Sequence, residues 1–167
     1  MNINFVKDKD LTYICYDLGL LNHHNDIWTL SNNNNTKLDR LSEYSKLSKI
    51  TSGDEAWIYV TIDHSVCLEF DVQLITTDFT KPYCQFGQSP NAMTRINISF
   101  PTAIQNGNWH SIKIKLQNGI ALISSESTSS EKYNLNNYDA TLAMYFRFRL
   151  NQLPELNFKN FIVYSLE

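Results

Sequence analysis

The chain has 167 residues, of which 43% are hydrophobic and 19% are charged, and its formal net charge is −3. This composition is typical of a globular protein and excludes a disordered chain. No basic stripe is present, so we expect no nucleic-acid partner, and no apolar run is long enough to span a bilayer, so we expect no membrane insertion. Residues 1–11 show no pattern of a secretory signal peptide.

The first fifty residues are expected to form an N-terminal strand and loops. Residues 11–16 favour a strand, and residues 17–26 are rich in turn formers. Residues 37–49 space their leucines as a helix would, but Ser and Thr interrupt them, so we predict a short strand–turn–strand. Cys15, Cys67 and Cys84 lie far apart in no metal-binding spacing, and we expect them to be small buried side chains in a reducing compartment.

From residue 55 onward, apolar and polar residues alternate with the period of a half-buried strand. The alternation is cleanest over 66–74 and recurs over 56–62, 95–100, 109–116, 120–123, 141–150 and 158–164. Asn118-Gly119 predicts a tight hairpin, because both turn residues must take a positive φ angle. Residues 78–90 are predicted to be a turn-rich connection, and a Ser/Thr-rich loop is predicted after the hairpin. This pattern predicts an all-β protein, a two-sheet antiparallel sandwich forming one domain over residues 1–167.

An ordered set of motifs over residues 55–166 resembles the concanavalin A-like, laminin-G-like jelly-roll family. The matching segments are VCLEFDVQL (66–74), GNWHSIKI (107–114), the Asn118-Gly119 hairpin and LNFKNFIVY (156–164). The resemblance implies that Trp109-His110 opens a sheet strand and that the last strand pairs near the N-terminal one. Similar modules occur in tail and adhesin proteins of phages and archaeal viruses and in carbohydrate-binding modules.

The strand over residues 69–73 is the first candidate site. Glu69, Asp71 and Gln73 share one face of a strand, and they resemble the carboxylate row of laminarinase-type glycosidases of this fold. Retaining hydrolysis needs a nucleophile and a general acid about 5–5.5 Å apart. Gln73 cannot give up and recover a proton, so we expect no enzyme activity.

A second row, formed by Tyr145, Arg147 and Arg149, is the other candidate site. We expect it on an outer sheet face, where it could bind sugar, contact another subunit, or form cross-strand ion pairs with the Glu69 row on a solvated face. Trp28 lies in a polar stretch, and we expect it to be partly exposed. Trp57 and Trp109 are expected to be anchors in the core or at its rim.

No metal site and no cofactor are predicted, because the histidines and carboxylates lack a recognisable ligand spacing. A calcium ion could be held by loop carboxylates, as the fold allows. The residues considered are His23, His24, Asp26, Asp63 and His64 for a transition metal, and Asp17, Asp26 and Asp139 for calcium.

We therefore predict a recognition module without catalytic activity. Its candidate ligand-binding residues are Trp28, Glu69, Asp71, Tyr145, Arg147 and Arg149. Its most concrete form is a virion-surface component, such as a tail, head-fibre or adhesin module, that binds cell-surface carbohydrate. The alternative is a structural decoration or connector subunit of a viral or cell-surface assembly that binds no sugar. The expected partners are a glycan or other virion or surface subunits, including further copies of this chain, and the expected location is a virion or cell surface.

Overall fold

The computed structural model describes residues 7–8, 11–14, 28–31, 34–51, 55–75, 83–89, 95–99, 106–126, 128–135, 138–150 and 155–166. Within these residues the chain forms fourteen β-strands and no helix. The strands are β1 Lys7–Asp8, β2 Leu11–Ile14, β3 Thr29–Leu30, β4 Thr36–Arg40, β5 Ser45–Lys49, β6 Ala56–Ile62, β7 Val66–Ile75, β8 Tyr83–Gly87, β9 Arg95–Ser99, β10 Trp109–Gln117, β11 Ile120–Ser125, β12 Thr128–Asn134, β13 Met144–Leu150 and β14 Glu155–Ser165. The described residues include no helix that is long and apolar enough to cross a membrane.

The strands form two antiparallel sheets, which we call the large sheet and the small sheet. The described part of the large sheet has the order β1-β2-β14-β7-β10-β11-β12, and the hairpin β4-β5 joins it where β5 pairs with β14. The small sheet has the order β3-β6-β13-β8-β9. The predicted all-β, two-sheet jelly-roll sandwich is confirmed.

The hairpin between β10 and β11 turns at Asn118 and Gly119, as the sequence predicts. Their φ angles are 52° and 68°, the left-handed backbone that a two-residue type I′ turn requires. This turn fixes the pairing of Gln117 with Ile120 and so the register of both strands. Two implications of the family resemblance also hold, since Trp109 opens β10 and β14 pairs with β2.

The inner faces of the two sheets meet in an aromatic core. Six phenylalanines in this core are at most 2% exposed: Phe70, Phe86, Phe146, Phe148, Phe158 and Phe161. Trp28 lies among them, with its ring centroid 4.8 Å from that of Phe161 and 5.5 Å from that of Phe148. Trp28 is 3% exposed, so the expectation of a partly exposed ring is wrong. Trp28 lies in a mostly polar stretch of the sequence, so the local pattern does not indicate that this side chain points into the core.

A β-bulge in β14 shapes the outer face of the large sheet. Lys159 pairs with Asp71 and Ile162 pairs with Glu69, so two residues of β14 stand opposite a single residue of β7. Asn160 takes up the bend with a φ angle of 52°, which Asn tolerates better than most residues. The bulge turns Phe161 into the core while the side chain of Asn160 stays exposed on the outer face.

The structure confirms one predicted element and corrects the bounds of several others. The strand–turn–strand predicted over 37–49 is the β4-β5 hairpin, which confirms it. The predicted connection over 78–90 contains β8, and the predicted Ser/Thr-rich loop contains β12, which is the last strand in the order of the large sheet. The strand predicted over 141–150 begins at Met144, and Leu142, which precedes it, is 52% exposed. Cys67 and Cys84 are buried free thiols, whereas Cys15 lies outside the described residues.

Candidate functional site

An open groove of roughly 320 Å³ lies on the outer face of the large sheet. It runs over the middle of β7 and β10, beside the bulge of β14. Its side chains offer carboxylates, hydroxyls, one amide and one ammonium group beside a small apolar patch. The lining residues are Glu69, Phe70, Asp71, Ser111, Ile112, Lys113, Ser124, Ser125, Glu126, Asn160 and Ile162. We call this surface the groove.

Asp71 lies at the centre of the groove and is held from two sides. Its Oδ1 accepts a hydrogen bond of 2.6 Å from the Ser111 hydroxyl on β10, and its Oδ2 accepts one of 2.7 Å from Asn160 Nδ2 in the bulge. A carboxylate has about four acceptor positions, so these two bonds leave acceptor capacity for a ligand. The carboxylate plane is therefore fixed before any ligand arrives.

Glu69 lies two residues before Asp71 on the same face of β7, and its carboxylate also contacts two side chains. Its Oε1 is 2.6 Å from Lys113 Nζ, and its Oε2 accepts a hydrogen bond of 2.7 Å from the Tyr164 hydroxyl. Partial burial acts to raise the pKa of Glu69, but the hydrogen bonds from Lys113 and Tyr164 and the lysine charge outweigh it and lower the pKa. Glu69 is therefore an ionised acceptor and is poorly suited to act as a general acid.

Gln73 completes the row and is engaged on both sides. Its Nε2 donates to the Gly107 carbonyl oxygen at 2.8 Å, and its Oε1 accepts a hydrogen bond of 3.0 Å from Asn157 Nδ2. An amide neither takes up nor releases a proton near neutral pH, so the row presents two carboxylates and no third. The arrangement can bind a ligand with many hydroxyl groups, but it lacks a protonated carboxyl at the third position.

Trp109 stands in the same row as Gln73, at the end of the groove. It is half-buried on the outer face, and Tyr44 of the β4-β5 turn meets it edge to face with ring centroids 5.7 Å apart. Lys159 places its Nζ 4.4 Å from the centre of the Trp109 ring. Trp109 is therefore a rim residue and does not belong to the core.

The row of Tyr145, Arg147 and Arg149 lies on the outer face of the small sheet, as expected, but its arginines are buried. Arg147 is 4% exposed and Arg149 is 8% exposed. Arg147 donates to the Gln85 side chain and lies 5.4 Å from the centre of the Trp57 ring, while Arg149 pairs with Glu55. Of the three alternatives for this row, the solvated face is wrong for the two arginines, because the side chains of Gln85, Trp57 and Glu55 contact their guanidinium groups.

The two predicted rows do not meet. Glu69 and Asp71 belong to β7 in the large sheet, whereas Tyr145 and the two arginines belong to β13 in the small sheet. The predicted ion pairs between the rows are therefore wrong, and Glu69 pairs with Lys113 on β10 instead. Tyr145 contacts Tyr59 edge to face, with centroids 5.8 Å apart. Of the six predicted ligand-binding residues, the structure brings only Glu69 and Asp71 into the groove.

Among the groove residues that were not singled out from the sequence, Ser111, Lys113 and Asn160 contact its two central carboxylates. The alternation of β10 places Ser111 and Lys113 on an outer face, but nothing local says that β10 pairs with β7 in the register that sets Ser111 beside Asp71. Asn160 reaches the groove through the bulge, and the sequence carries no signal of that bulge.

The metal candidates among the described residues form no cluster of ligands. His23, His24, Asp17 and Asp26 lie outside the described residues. Asp139 accepts two hydrogen bonds from Thr141, which lower the pKa of its exposed carboxyl, and His64 contacts the Leu142 carbonyl oxygen at 2.7 Å. Among the described residues no group of three or more His, Cys, Asp and Glu side chains could hold a metal ion.

Comparisons with known proteins show the fold. No protein-family model matches the chain. No curated protein matches it either. Among solved structures, SCLam, a non-specific endo-β-1,3(4)-glucanase from family GH16, is 7% identical, with a TM-score of 0.66 over 98% of this chain and 95% of that one. A sialidase is 11% identical, with a TM-score of 0.64 over 92% of this chain, which spans only 19% of the sialidase. Carbohydrate-binding module CBM66 from Bacillus subtilis is 10% identical, with a TM-score of 0.56 over 84% of this chain and 98% of the module.

The chain has a concanavalin A-like jelly-roll fold. Identities of 7–11% support a shared fold alone, since one fold hosts many functions. The three neighbours include a glucanase and a binding module, so the fold alone assigns no function to this chain.

Proposed function

We propose that this protein is a non-catalytic carbohydrate-binding domain whose ligand lies in the groove. The observation that carries the proposal is the fixed carboxylate of Asp71, held at 2.6 Å by Ser111 and at 2.7 Å by Asn160 within an open polar groove. A sugar offers a ring of hydroxyl groups, and planar acceptors that are already oriented bind them at low entropic cost.

The chemistry around Asp71 suits such a ligand. Ser111, Ser124 and Ser125 present hydroxyl oxygens to the groove, and that of Ser111 can accept a hydrogen bond while its proton is donated to Asp71. Ile162 supplies apolar surface for the C–H face of a sugar ring. The neighbouring CBM66 lends this reading support at the level of fold analogy.

The groove supports binding without hydrolysis. Glycoside hydrolysis by a carboxylate pair needs one carboxyl that is protonated near neutral pH. The pKa of Glu69 is lowered by its partners, and the third position of the row carries the Gln73 amide. We therefore propose that Glu69 and Asp71 act as hydrogen-bond acceptors toward the ligand.

We keep the virion-surface or cell-surface setting as part of this proposal, with a tail, head-fibre or adhesin module as its most concrete form. Such modules present glycan-binding surfaces outward, and the groove is open to solvent. The array experiment below asks whether cell-surface glycans bind.

A second candidate is a structural subunit that binds no sugar. The outer face of the small sheet favours it, because half-buried Trp57, Tyr59 and Tyr145 surround the buried guanidinium of Arg147. Aromatic residues and arginine are enriched at the centres of protein interfaces. In this reading the small sheet contacts another copy or another subunit.

A glycan array followed by calorimetric titration of the strongest hit tests the proposal. We expect Asp71→Ala to weaken binding by about 10-fold or more, because hydrogen bonds to charged groups contribute about 1.5–3 kcal/mol each. Tyr145→Phe on the small sheet is the matched control and should leave the affinity unchanged. Thermal unfolding of both variants checks that the fold is retained.

Three results would contradict the proposal. Release of reducing sugar from the bound glycan would mean an enzyme, and Glu69→Gln would then abolish it. No binding to any glycan, together with a solution mass above the 19.4 kDa of one chain, would favour the structural subunit. Equal loss of affinity in Asp71→Ala and Tyr145→Phe would place the ligand elsewhere.

A further inference from the structure

Trp109 is an aromatic ring at the end of the groove whose face is covered by one flexible side chain. Tyr44 meets the ring at its edge, with a centroid distance of 5.7 Å and an interplanar angle of 66°. The Lys159 ammonium lies over the ring, 4.4 Å from its centre. The flat face of an indole is the surface on which the C–H side of a sugar ring packs, and here that surface is held under a lysine.

Lys159 stands at the border between the groove and Trp109. It is adjacent in sequence to Asn160, which lines the groove, and it pairs with Asp71 across the strands. Asp71 nevertheless takes its two side-chain hydrogen bonds from Ser111 and Asn160, while the lysine ammonium reaches the indole. Movement of this one side chain would join the groove to the Trp109 ring.

An amide oxygen that has no donor among the described residues lies in the row of Trp109. On the outer face, Trp109 pairs with Gln73, and Gln73 pairs with Asn157. Asn157 is 4% exposed and gives its amide N–H to Gln73, but its Oδ1 accepts no hydrogen bond from the described residues. A buried amide oxygen is expected to have a donor, so this row holds a polar group whose hydrogen bonding is incomplete one strand beyond Gln73.

We infer that Lys159 is a displaceable cap over a second sugar subsite formed by Trp109 with the Gln73–Asn157 amide pair. The inference rests on the proposed function and extends it, since it makes the ligand a chain of sugars rather than a single ring. Ser111 and Trp109 lie two residues apart on one face of β10, about 7 Å along the strand at ~3.4 Å per residue. A ligand that fills the groove and continues along β10 reaches Trp109 with its next sugar.

The cap is well suited to be displaced. A surface cation–π contact is weak, and a released lysine regains side-chain freedom in water. The sugar that replaces it covers the indole face and lies beside the Gln73 amide, which pairs with Trp109 across the strands. Capping keeps an aromatic ring from being exposed when no ligand is bound, which limits nonspecific contacts.

The test uses the whole protein and an array that carries each glycan both as its terminal monosaccharide and as a chain of four or more sugars. Wild type is expected to bind chains more tightly than the matching monosaccharide. Trp109→Ala should remove that preference, with about a 10-fold loss for chains, and should keep monosaccharide binding. Lys159→Ala should strengthen chain binding by about two- to five-fold and leave monosaccharide binding unchanged.

Lys115→Ala removes another lysine from the outer face of β10 and is the matched control for Lys159→Ala. Trp109→Phe keeps a ring and should retain part of the chain preference, which guards against misfolding of the alanine variant. Weaker chain binding by Lys159→Ala would make the lysine a direct ligand contact and overturn the inference. An unchanged chain preference in a folded Trp109→Ala would overturn it too, while the proposed function would stand. Absence of all glycan binding by wild type would overturn both.

Discussion

Replacing Trp28 with alanine tests the aromatic core at its most informative position. The side chain is 3% exposed, and its ring lies 4.8 Å from Phe161, 5.5 Å from Phe148 and Phe158, and 6.4 Å from Phe146, all between centroids. Truncation of a buried tryptophan removes its transfer free energy and leaves a cavity, at a cost of about 3–5 kcal/mol. For a chain of this size each 1 kcal/mol lowers the melting temperature by about 2–4 °C, so we expect a fall of about 6–20 °C.

Urea unfolding followed by far-UV circular dichroism measures this loss, and an unchanged m-value would show that the unfolded states remain comparable. Leu142→Ala is the matched control, because Leu142 is 52% exposed, and its free energy of unfolding should change by less than about 0.5 kcal/mol. A loss below about 1 kcal/mol for Trp28→Ala would refute the buried position and restore the exposed ring that the sequence suggests.

Three further substitutions test the β10-β11 turn, the buried arginine of the small sheet and the partners of Glu69. Gly119→Val should cost about 1–2 kcal/mol in urea unfolding, because a branched side chain is forced to a φ angle of 68°; an unchanged midpoint would contradict the turn. Arg147→Ala should cost about 2–3 kcal/mol, since it removes packing on Trp57 and leaves the buried Gln85 side chain without a donor, whereas a neutral effect would mean a solvated arginine. The folded pKa of Glu69 lies below its usual value of 4.5, because hydrogen bonds from Lys113 and Tyr164 outweigh the opposing effect of partial burial. The contribution of Glu69 to the free energy of unfolding is therefore present above about pH 4.5 and is lost as the pH falls through the folded pKa. Glu69→Gln should therefore flatten the acid side of the stability–pH curve, and an unaltered curve would contradict the assigned partners.

Local pattern was sufficient to predict the fold class. The alternation over 66–74 reports a strand with one buried face, and Val72 and Leu74 are indeed fully buried while Glu69 and Asp71 are half-exposed. Asn118-Gly119 defined its own hairpin, because the turn type depends on two adjacent residues. Both signals act over a few residues, which is why they can be seen in the sequence.

The errors come from contacts between distant residues. Trp28 is buried by rings from β13 and β14, more than a hundred residues later in the chain, and its polar neighbours give no hint of them. Arg147 reads as an outward residue and does point outward, but Gln85 and Trp57 from adjacent strands cover it. Burial on an outer sheet face depends on neighbours that only the strand order supplies.

Only part of the candidate site could be predicted from the sequence. Glu69 and Asp71 share a face by simple alternation, whereas Ser111 and Asn160 meet Asp71 through a long-range register and a bulge. Sequence alternation gives the face of a residue but not the strand that lies beside it. The groove therefore required the three-dimensional pairing.

Backbone amide chemical-shift mapping during titration with the strongest array glycan tests the central claim most directly. The account predicts that shifts concentrate at Glu69–Gln73 on β7, Trp109–Lys113 on β10 and Lys159–Ile162 on β14, and that the small sheet stays unperturbed. Shifts confined to β6 and β13, around Trp57 and Arg147, would contradict it and move the binding surface to the opposite sheet.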